Sequence, residues 1–319
     1  MKNPIIVITG PTASGKTAIS FDTVKKFNGE VICADSMTVY RGMDIGTDKP
    51  TLNLNSKKRR AENDGSYVIN GIKHHLLDEL NPDEDFNVAI FCEMVEKKIK
   101  EIRSRGNIPF LVGGSLFYID AFVYDYSLPP VAPDLKLRAE LEKKSNDELW
   151  KRLVKLDPDS EWTIDKNNKR RLVRALEVTL KTQKPFSLQK SKKNLPKNIL
   201  YLAVTSDRDL LYEKINKRVD EMMRTGFLDE VRDLYEKYDH STAMQATGYR
   251  QLIEYIEGKI NLDLAVEETK KSHRRFAKRQ ETWLKRNSEK VLIKNSKEAE
   301  EKIRTFLGGL KFDKISTKK

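Results

Sequence analysis

The sequence predicts an α/β fold: a P-loop core with a doubly wound parallel sheet and a helical insertion domain. Three observations carry this. The apolar run Ile5 to Ile8 leads through GPTASGKT (Gly10 to Thr17) into a helical pattern containing Ile19, Phe21 and Val24. Short runs rich in β-branched residues recur at Val31 to Ala34, Ile108 to Val112, Ile199 to Thr205 and Val291 to Lys294, with helical stretches between them. Strands of that kind, separated by helices, are buried parallel strands joined by crossovers. Between about Ile119 and Asn198 the periodicity is helical alone. The expected division is therefore a core of 1–118 and 199–319 with an insertion of 119–198.

The first strand and helix frame the P-loop. Its residues Gly10, Pro11, Thr12, Ala13, Ser14 and Gly15 can fold into a nest whose N–H groups face an anion at the positive end of the helix dipole. Lys16 supplies a point charge for a terminal phosphate, and Thr17 a hydroxyl for Mg²⁺ bound to that phosphate. The motif reports a phosphate or diphosphate and does not say which molecule carries it.

The second strand delivers Asp35 and Ser36 to the carboxyl edge of the sheet, where ligands of such folds bind. From position alone Asp35 is equally a metal ligand, a catalytic base or a helix cap. The third strand ends in Gly113, Gly114 and Ser115, where a nucleotide hydrolase usually places an acid, which disfavours an ATPase. His74 and His75 are adjacent and point different ways on any regular element, so a structural role is favoured over a shared ligand.

Within the insertion, helices are expected over Leu135 to Lys144, Asp147 to Leu156 and Lys169 to Lys181, separated by Pro129-Pro130, Asp157-Pro158 and Lys184-Pro185. The last of them pairs a packing stripe (Leu172, Val173, Leu176, Leu180) with Lys169, Arg170, Arg171 and Arg174. Four clustered cations repel one another unless an anion neutralises them. Beyond a Lys/Asn/Pro-rich stretch and the fourth strand, helices are expected over Asp209 to Arg224, with Gly226 as a stop, and Leu264 to Arg286. The second winds eight Lys and Arg around Phe276 and Trp283. The tail 311–319 is polar and expected to fray.

Composition limits the partners. The 319 residues carry 60 Lys and Arg against 48 Asp and Glu, a formal charge of +12. Such a surplus fits a polyanion as well as it fits a lysine-rich composition. Cys33 and Cys92 have no second thiol or imidazole at ligand spacing, so neither a disulfide framework nor a zinc site is expected. No apolar run approaches the ~20 residues that cross a bilayer, and the amino terminus lacks a signal-peptide core, so a cytoplasmic location is expected.

Seven segments in register carry a resemblance. GPTASGKT, DSMTVYRGMDIGTDKP (Asp35 to Pro50), HHLLD (His74 to Asp78), LVGGSLFY (Leu111 to Tyr118), RALEV (Arg174 to Val178), QATGYRQ (Gln245 to Gln251) and AKRQETWLKR (Ala277 to Arg286) resemble the bacterial tRNA dimethylallyltransferases. The resemblance implies transfer of a dimethylallyl group from dimethylallyl diphosphate to the exocyclic amine of the adenosine 3′ of the tRNA anticodon, by a monomer that uses Mg²⁺. It makes Asp35 the general base, and Lys16, Thr17 and Arg218 the groups that hold the leaving diphosphate. For tRNA it implies contacts at Asp35, Ser36, Met37 and Thr38, at Ser115 and Arg138, and at Arg170, Arg171, Leu172, Val173 and Arg174. Further contacts are implied at Gln245, Ala246, Thr247, Gly248, Tyr249 and Arg250, and at Lys278, Arg279, Gln280, Glu281, Thr282, Trp283, Leu284 and Lys285. The insertion would clamp the anticodon stem-loop. Two positions depart from the family pattern: Ser115 stands for the usual threonine, and Leu116 for a small residue. The competing readings are a P-loop kinase of a small metabolite and a nucleic-acid-binding protein with a regulatory P-loop.

Overall fold

The computed structural model describes residues 3–50, 59–62, 64–127, 129, 131–189 and 193–312. The chain divides into two compact units, 1–123 with 195–319, and 124–194.

The first unit begins with β1 (Ile5–Thr9), α1 (Lys16–Lys26) and β2 (Gly29–Cys33). Every residue of β1 is buried, which is why its sequence is unbroken apolar up to Thr9. Three short strands follow, β3 (Arg59–Ala61), β4 (Tyr67–Ile69) and β5 (Ile72–His75), then α2 (Val88–Ser104), β6 (Ile108–Gly113) and α3 (Leu116–Val123). Asn87 caps α2 by accepting from the amides of Ala89 and Ile90. Because α3 continues to Val123, the chain leaves this unit later than residue 118.

The second unit contains α4 (Leu135–Glu142), α5 (Asn146–Leu156), α6 (Ser160–Thr163) and α7 (Lys169–Thr182). A capping box between Ser145 and Glu148 starts α5, and Asn168 caps α7. Leu141, Leu149, Leu153, Leu172, Val173 and Leu176 meet in one core.

The first unit resumes with β7 (Ile199–Val204), α8 (Arg208–Arg224), α9 (Phe227–Tyr238), α10 (Tyr249–Ile256), α11 (Leu262–Lys285), β8 (Val291–Ile293) and α12 (Ser296–Phe312). The first two residues of the expected fraying tail are thus the end of α12, and 313–319 lie outside the described residues. Pro130, and 190–192 of the Lys/Asn/Pro-rich stretch, lie outside them as well.

Among the described residues the sheet has the order β3-β4-β5-β2-β6-β1-β7-β8. From β5 to β8 the strands are parallel, whereas β3, β4 and β5 pair antiparallel, so the sheet is mixed at one edge. That edge was open to sequence reading. Asn70-Gly71 joins β4 to β5 with both residues at positive φ (52° and 79°), the requirement of a two-residue hairpin turn.

The two histidines settle on β5 as alternation demands. His74 faces the ring of Phe21 on α1, centroids 5.5 Å apart, while His75 hydrogen-bonds Glu30 at 2.7 Å. Exposed Arg105 and half-buried Asn107 complete the polar cluster around buried Glu30 and His75. Burial pushes the Glu30 carboxyl up, but the hydrogen bonds from His75, Arg105 and Asn107 outweigh it and hold it at about 2.

Candidate active site

The site is assembled where strand ends diverge. β6 lies between β1 and β2, so the chains leaving β1 and β2 pass on either side of its end and leave a crevice. From β1 the P-loop turns into α1, with Gly15 immediately before the first helical turn. Past the end of β2 stand Asp35, Ser36, Met37 and Thr38. Arg218 reaches in from α8 and Gln280 from α11. Together they wall a cavity of about 490 Å³ that Thr12, Lys16, Thr17, Asp35, Thr38, Asp48, Arg218 and Gln280 all line.

The end of β6 cannot carry a side chain. A Cβ on Gly113 would stand 2.0 Å from the Ala34 carbonyl oxygen, and one on Gly114 would stand 2.7 Å from Gln280 Nε2. The acid that a nucleotide hydrolase places there is therefore excluded by space as well as by sequence. Ser115 follows and ties the strands together. Its hydroxyl accepts from the Ser36 amide at 2.8 Å, and its amide donates to the Ala34 carbonyl at 3.1 Å. That role needs the hydroxyl and not the methyl of threonine. Leu116 is buried as the first residue of α3.

Burial governs the charges. It lowers Lys16 to about 8, helped by the positive charge of Arg218 and opposed by Asp35 and Asp48. It also raises the Asp35 carboxyl above its ordinary range, against the Met37 amide, the charge of Lys16 and the Thr38 amide. The two groups attract each other, yet both shift toward the neutral form, so desolvation outweighs the attraction. Asp35 Oδ1 accepts from the Met37 amide at 2.9 Å, and Lys16 Nζ donates to the Pro11 carbonyl at 2.6 Å. Arg218 Nη1 sits 2.9 Å from Asp48 Oδ2 and 3.4 Å from Thr12 Oγ1.

Sequence reasoning missed the residues that hold the loop between Met37 and Pro50. The Lys49 ammonium, fully buried, contacts Asp44 at 2.7 Å, Asp78 at 2.6 Å and the Tyr40 carbonyl at 2.8 Å. Glu230 accepts from the amides of Asp44, Ile45 and Gly46 and from the Tyr249 hydroxyl. Asp78 of HHLLD and Tyr249 of QATGYRQ thus belong to this brace. Nothing local in the sequence marks Lys49 as buried, so no signal pointed to this brace.

The expected RNA contacts divide by exposure. In the second unit Arg170 and Arg171 are exposed on α7. Leu172 and Val173, in contrast, are buried at 0% and 3% exposure in the core, so their side chains are not RNA contacts. Arg138 and Arg174 both hydrogen-bond the buried carboxylate of Glu177, at 2.8 and 2.6 Å, and remain about one-third exposed. In the first unit Gln245 and Arg250 are exposed and Ala246 and Thr247 partly so, but Gly248 and Tyr249 are buried, Tyr249 edge-on to Phe227. Along α11, Lys278, Arg279, Thr282 and Lys285 are exposed, while Leu284 is buried. Glu281 is paired to Arg208, and Trp283 Nε1 donates to Asp120. Arg275, Lys278, Arg279, Thr282, Trp283 and Arg286 line a basic cleft of about 450 Å³.

With that geometry in place, comparison with known proteins decides the family. The IPP transferase family model matches residues 38–287. The chain belongs to the IPP transferase family. Since the match begins beyond the P-loop and Asp35, those residues rest on the geometry above. Among its relatives, the tRNA dimethylallyltransferase of Acetivibrio thermocellus is 42% identical over 309 residues, 94% of each chain. That of Bacillus subtilis is 40% identical over 291 residues, 89% of this chain and 88% of the relative. The solved tRNA isopentenylpyrophosphate transferase of Bacillus halodurans shares 35% identity and superposes with a TM-score of 0.69 over 96% of each chain. A eukaryotic dimethylallyltransferase solved acting on tRNA superposes with a TM-score of 0.72 at 29% identity, over 91% of this chain and 73% of its own.

Proposed function

We propose that this protein moves a dimethylallyl group from dimethylallyl diphosphate to the exocyclic 6-amino group of the adenosine 3′ of the tRNA anticodon, releasing diphosphate. The observation that carries the reading is one cavity holding both a P-loop and a half-buried Asp35, at a strand end that excludes the acid of a nucleotide hydrolase. A P-loop in that setting binds a diphosphate as a leaving group.

The amine attacks C1 of the dimethylallyl group as the C1–O bond breaks, and the electron pair of that bond leaves with the diphosphate. Negative charge therefore grows on the diphosphate oxygens. Lys16, Arg218 and the P-loop line the same cavity, so their positive charge and amides are available to meet the charge that develops there. Bound diphosphate would favour the Lys16 ammonium that burial disfavours. The amine proton passes to Asp35, whose raised pKa makes its carboxylate a stronger base than an exposed one. Thr17 is exposed at the cavity wall, and its hydroxyl with diphosphate oxygens and water forms a donor set of hard oxygens suited to Mg²⁺, which would supply further charge neutralisation.

The base must leave its stack to enter such a cavity. Thr38 offers it a buried hydroxyl with no hydrogen-bond partner among the described residues. Exposed Arg170 and Arg171 on α7, and Lys278, Arg279 and Lys285 on α11, fit phosphate contacts along the stem-loop. The test is incubation of purified protein with dimethylallyl diphosphate, Mg²⁺ and tRNA, followed by nucleoside analysis. Prenylated adenosine that requires all three is the expected product. Phosphate transfer from ATP without tRNA would replace this reading with a kinase.

A further inference from the structure

Gln280 was expected among the RNA contacts, but its side chain is 4% exposed and both ends of its amide are engaged. Oε1 accepts from the Thr12 amide at 2.8 Å, and Nε2 donates to the Gly114 carbonyl at 2.8 Å. One amide thus spans from α11 to the P-loop and to the end of β6. We propose that Gln280 is a positioning residue that sets the P-loop for diphosphate and makes the basic helix α11 mechanically continuous with the leaving-group site.

Three features support this. Thr12 is the P-loop residue whose hydroxyl lies 3.4 Å from Arg218 Nη1, so the backbone that Gln280 holds sits beside the arginine that Asp48 pairs. Gly114 leaves room for the bridge, because any Cβ there would collide with Nε2. The rest of α11 is fastened to the same core: Trp283 bonds to Asp120, which also receives the Tyr201 hydroxyl, and Arg274 bonds to Asn216 on α8. A shift of α11 at Lys278 or Arg279 would therefore reach the Thr12 amide through Gln280. Such a displacement matters because a misplacement of roughly 1 Å can cost about 10²-fold in rate.

The inference rests on the proposed transfer reaction, and the experiment separates the two. Gln280→Met keeps volume and removes both hydrogen bonds. Gln280→Glu keeps the acceptor for Thr12 and loses the donor to Gly114. In steady-state assays Gln280→Met is expected to raise KM for dimethylallyl diphosphate by about 10- to 100-fold. Gln280→Glu also sets a buried carboxylate against the Gly114 carbonyl and beside the diphosphate, so it should raise KM at least as far as Gln280→Met. Stem-loop affinity measured without diphosphate should change less than twofold in both. Calorimetric titration with inorganic diphosphate and Mg²⁺ reads the same effect independently of turnover, so it still tests Gln280 if the wild type transfers no dimethylallyl group. Weakened stem-loop binding with an unchanged KM would make Gln280 an RNA contact and overturn the proposal. A lowered melting temperature with unchanged KM and diphosphate affinity would reduce it to a packing residue and overturn it equally.

Discussion

A carboxyl raised by burial and an ammonium lowered by it make turnover sensitive to pH from both sides. Asp35 must be ionised to accept the proton, so kcat/KM should rise with pH through a limb lying above the ordinary carboxylate range. Lys16 must be charged to receive diphosphate, and in the free enzyme it loses that charge near about 8, so kcat/KM should fall again there. The alkaline limb of kcat should lie higher, because bound diphosphate favours the ammonium. Rates collected from about pH 5 to pH 10 check this, and Lys16→Arg, whose guanidinium does not titrate in that range, should abolish the alkaline limb at a reduced rate. Asp35→Asn keeps an acceptor for the amine but cannot take its proton. It should lose about 10²- to 10⁴-fold in single-turnover rate while tRNA stays bound. Recovery of the wild-type rate at high Mg²⁺ would instead make Asp35 a metal-site residue.

At the level of elements, the loop from Met37 to Pro50 is held in place by charges that sequence periodicity does not display. Lys49 neutralises both Asp44 and Asp78, and its removal leaves two carboxylates without their cation. Lys49→Met is therefore expected to cost about 3–5 kcal/mol of stability, read as a lower urea midpoint with an unchanged slope. The brace also joins segments far apart in the chain: Asp78 follows β5, Glu230 lies on α9 and Tyr249 opens α10, and all three meet at this loop. Helix α7 shows the complementary case. Its periodicity places Leu172, Val173 and Leu176 inside and Arg170 and Arg171 outside, so one segment resembling an RNA contact splits into core and surface residue by residue.

For the whole molecule, the net charge of +12 becomes informative only once it is located. On α11, Lys270 is paired to Asp220 and Glu267, and Lys271 to Glu268, so those cations are already neutralised. Lys278, Arg279, Arg170 and Arg171 are exposed and have no ion-pair partner among the described residues. If each meets a phosphate, the plot of log affinity for tRNA against log salt should flatten by about two units in the Arg170→Ala/Arg171→Ala variant. Lys278→Ala/Arg279→Ala should do the same, and the four together should flatten it by about four. A slope that does not move assigns them to a solvated face.

By itself the sequence determined the P-loop, five of the parallel strands and the three longer helices of the second unit, because local periodicity and turn chemistry act over a few residues and are written directly into them. It also held the Asn70-Gly71 hairpin signal, which makes the sheet mixed rather than wholly parallel. Only the tertiary structure decided that Gln280 holds the P-loop, that Glu230 and Lys49 brace the loop after Asp35, and that Arg138 and Arg174 share Glu177. Those contacts join residues far apart in the chain. A buried polar side chain chooses its partner by three-dimensional proximity and by the cost of leaving it unpaired, and neither leaves a periodic trace in the sequence.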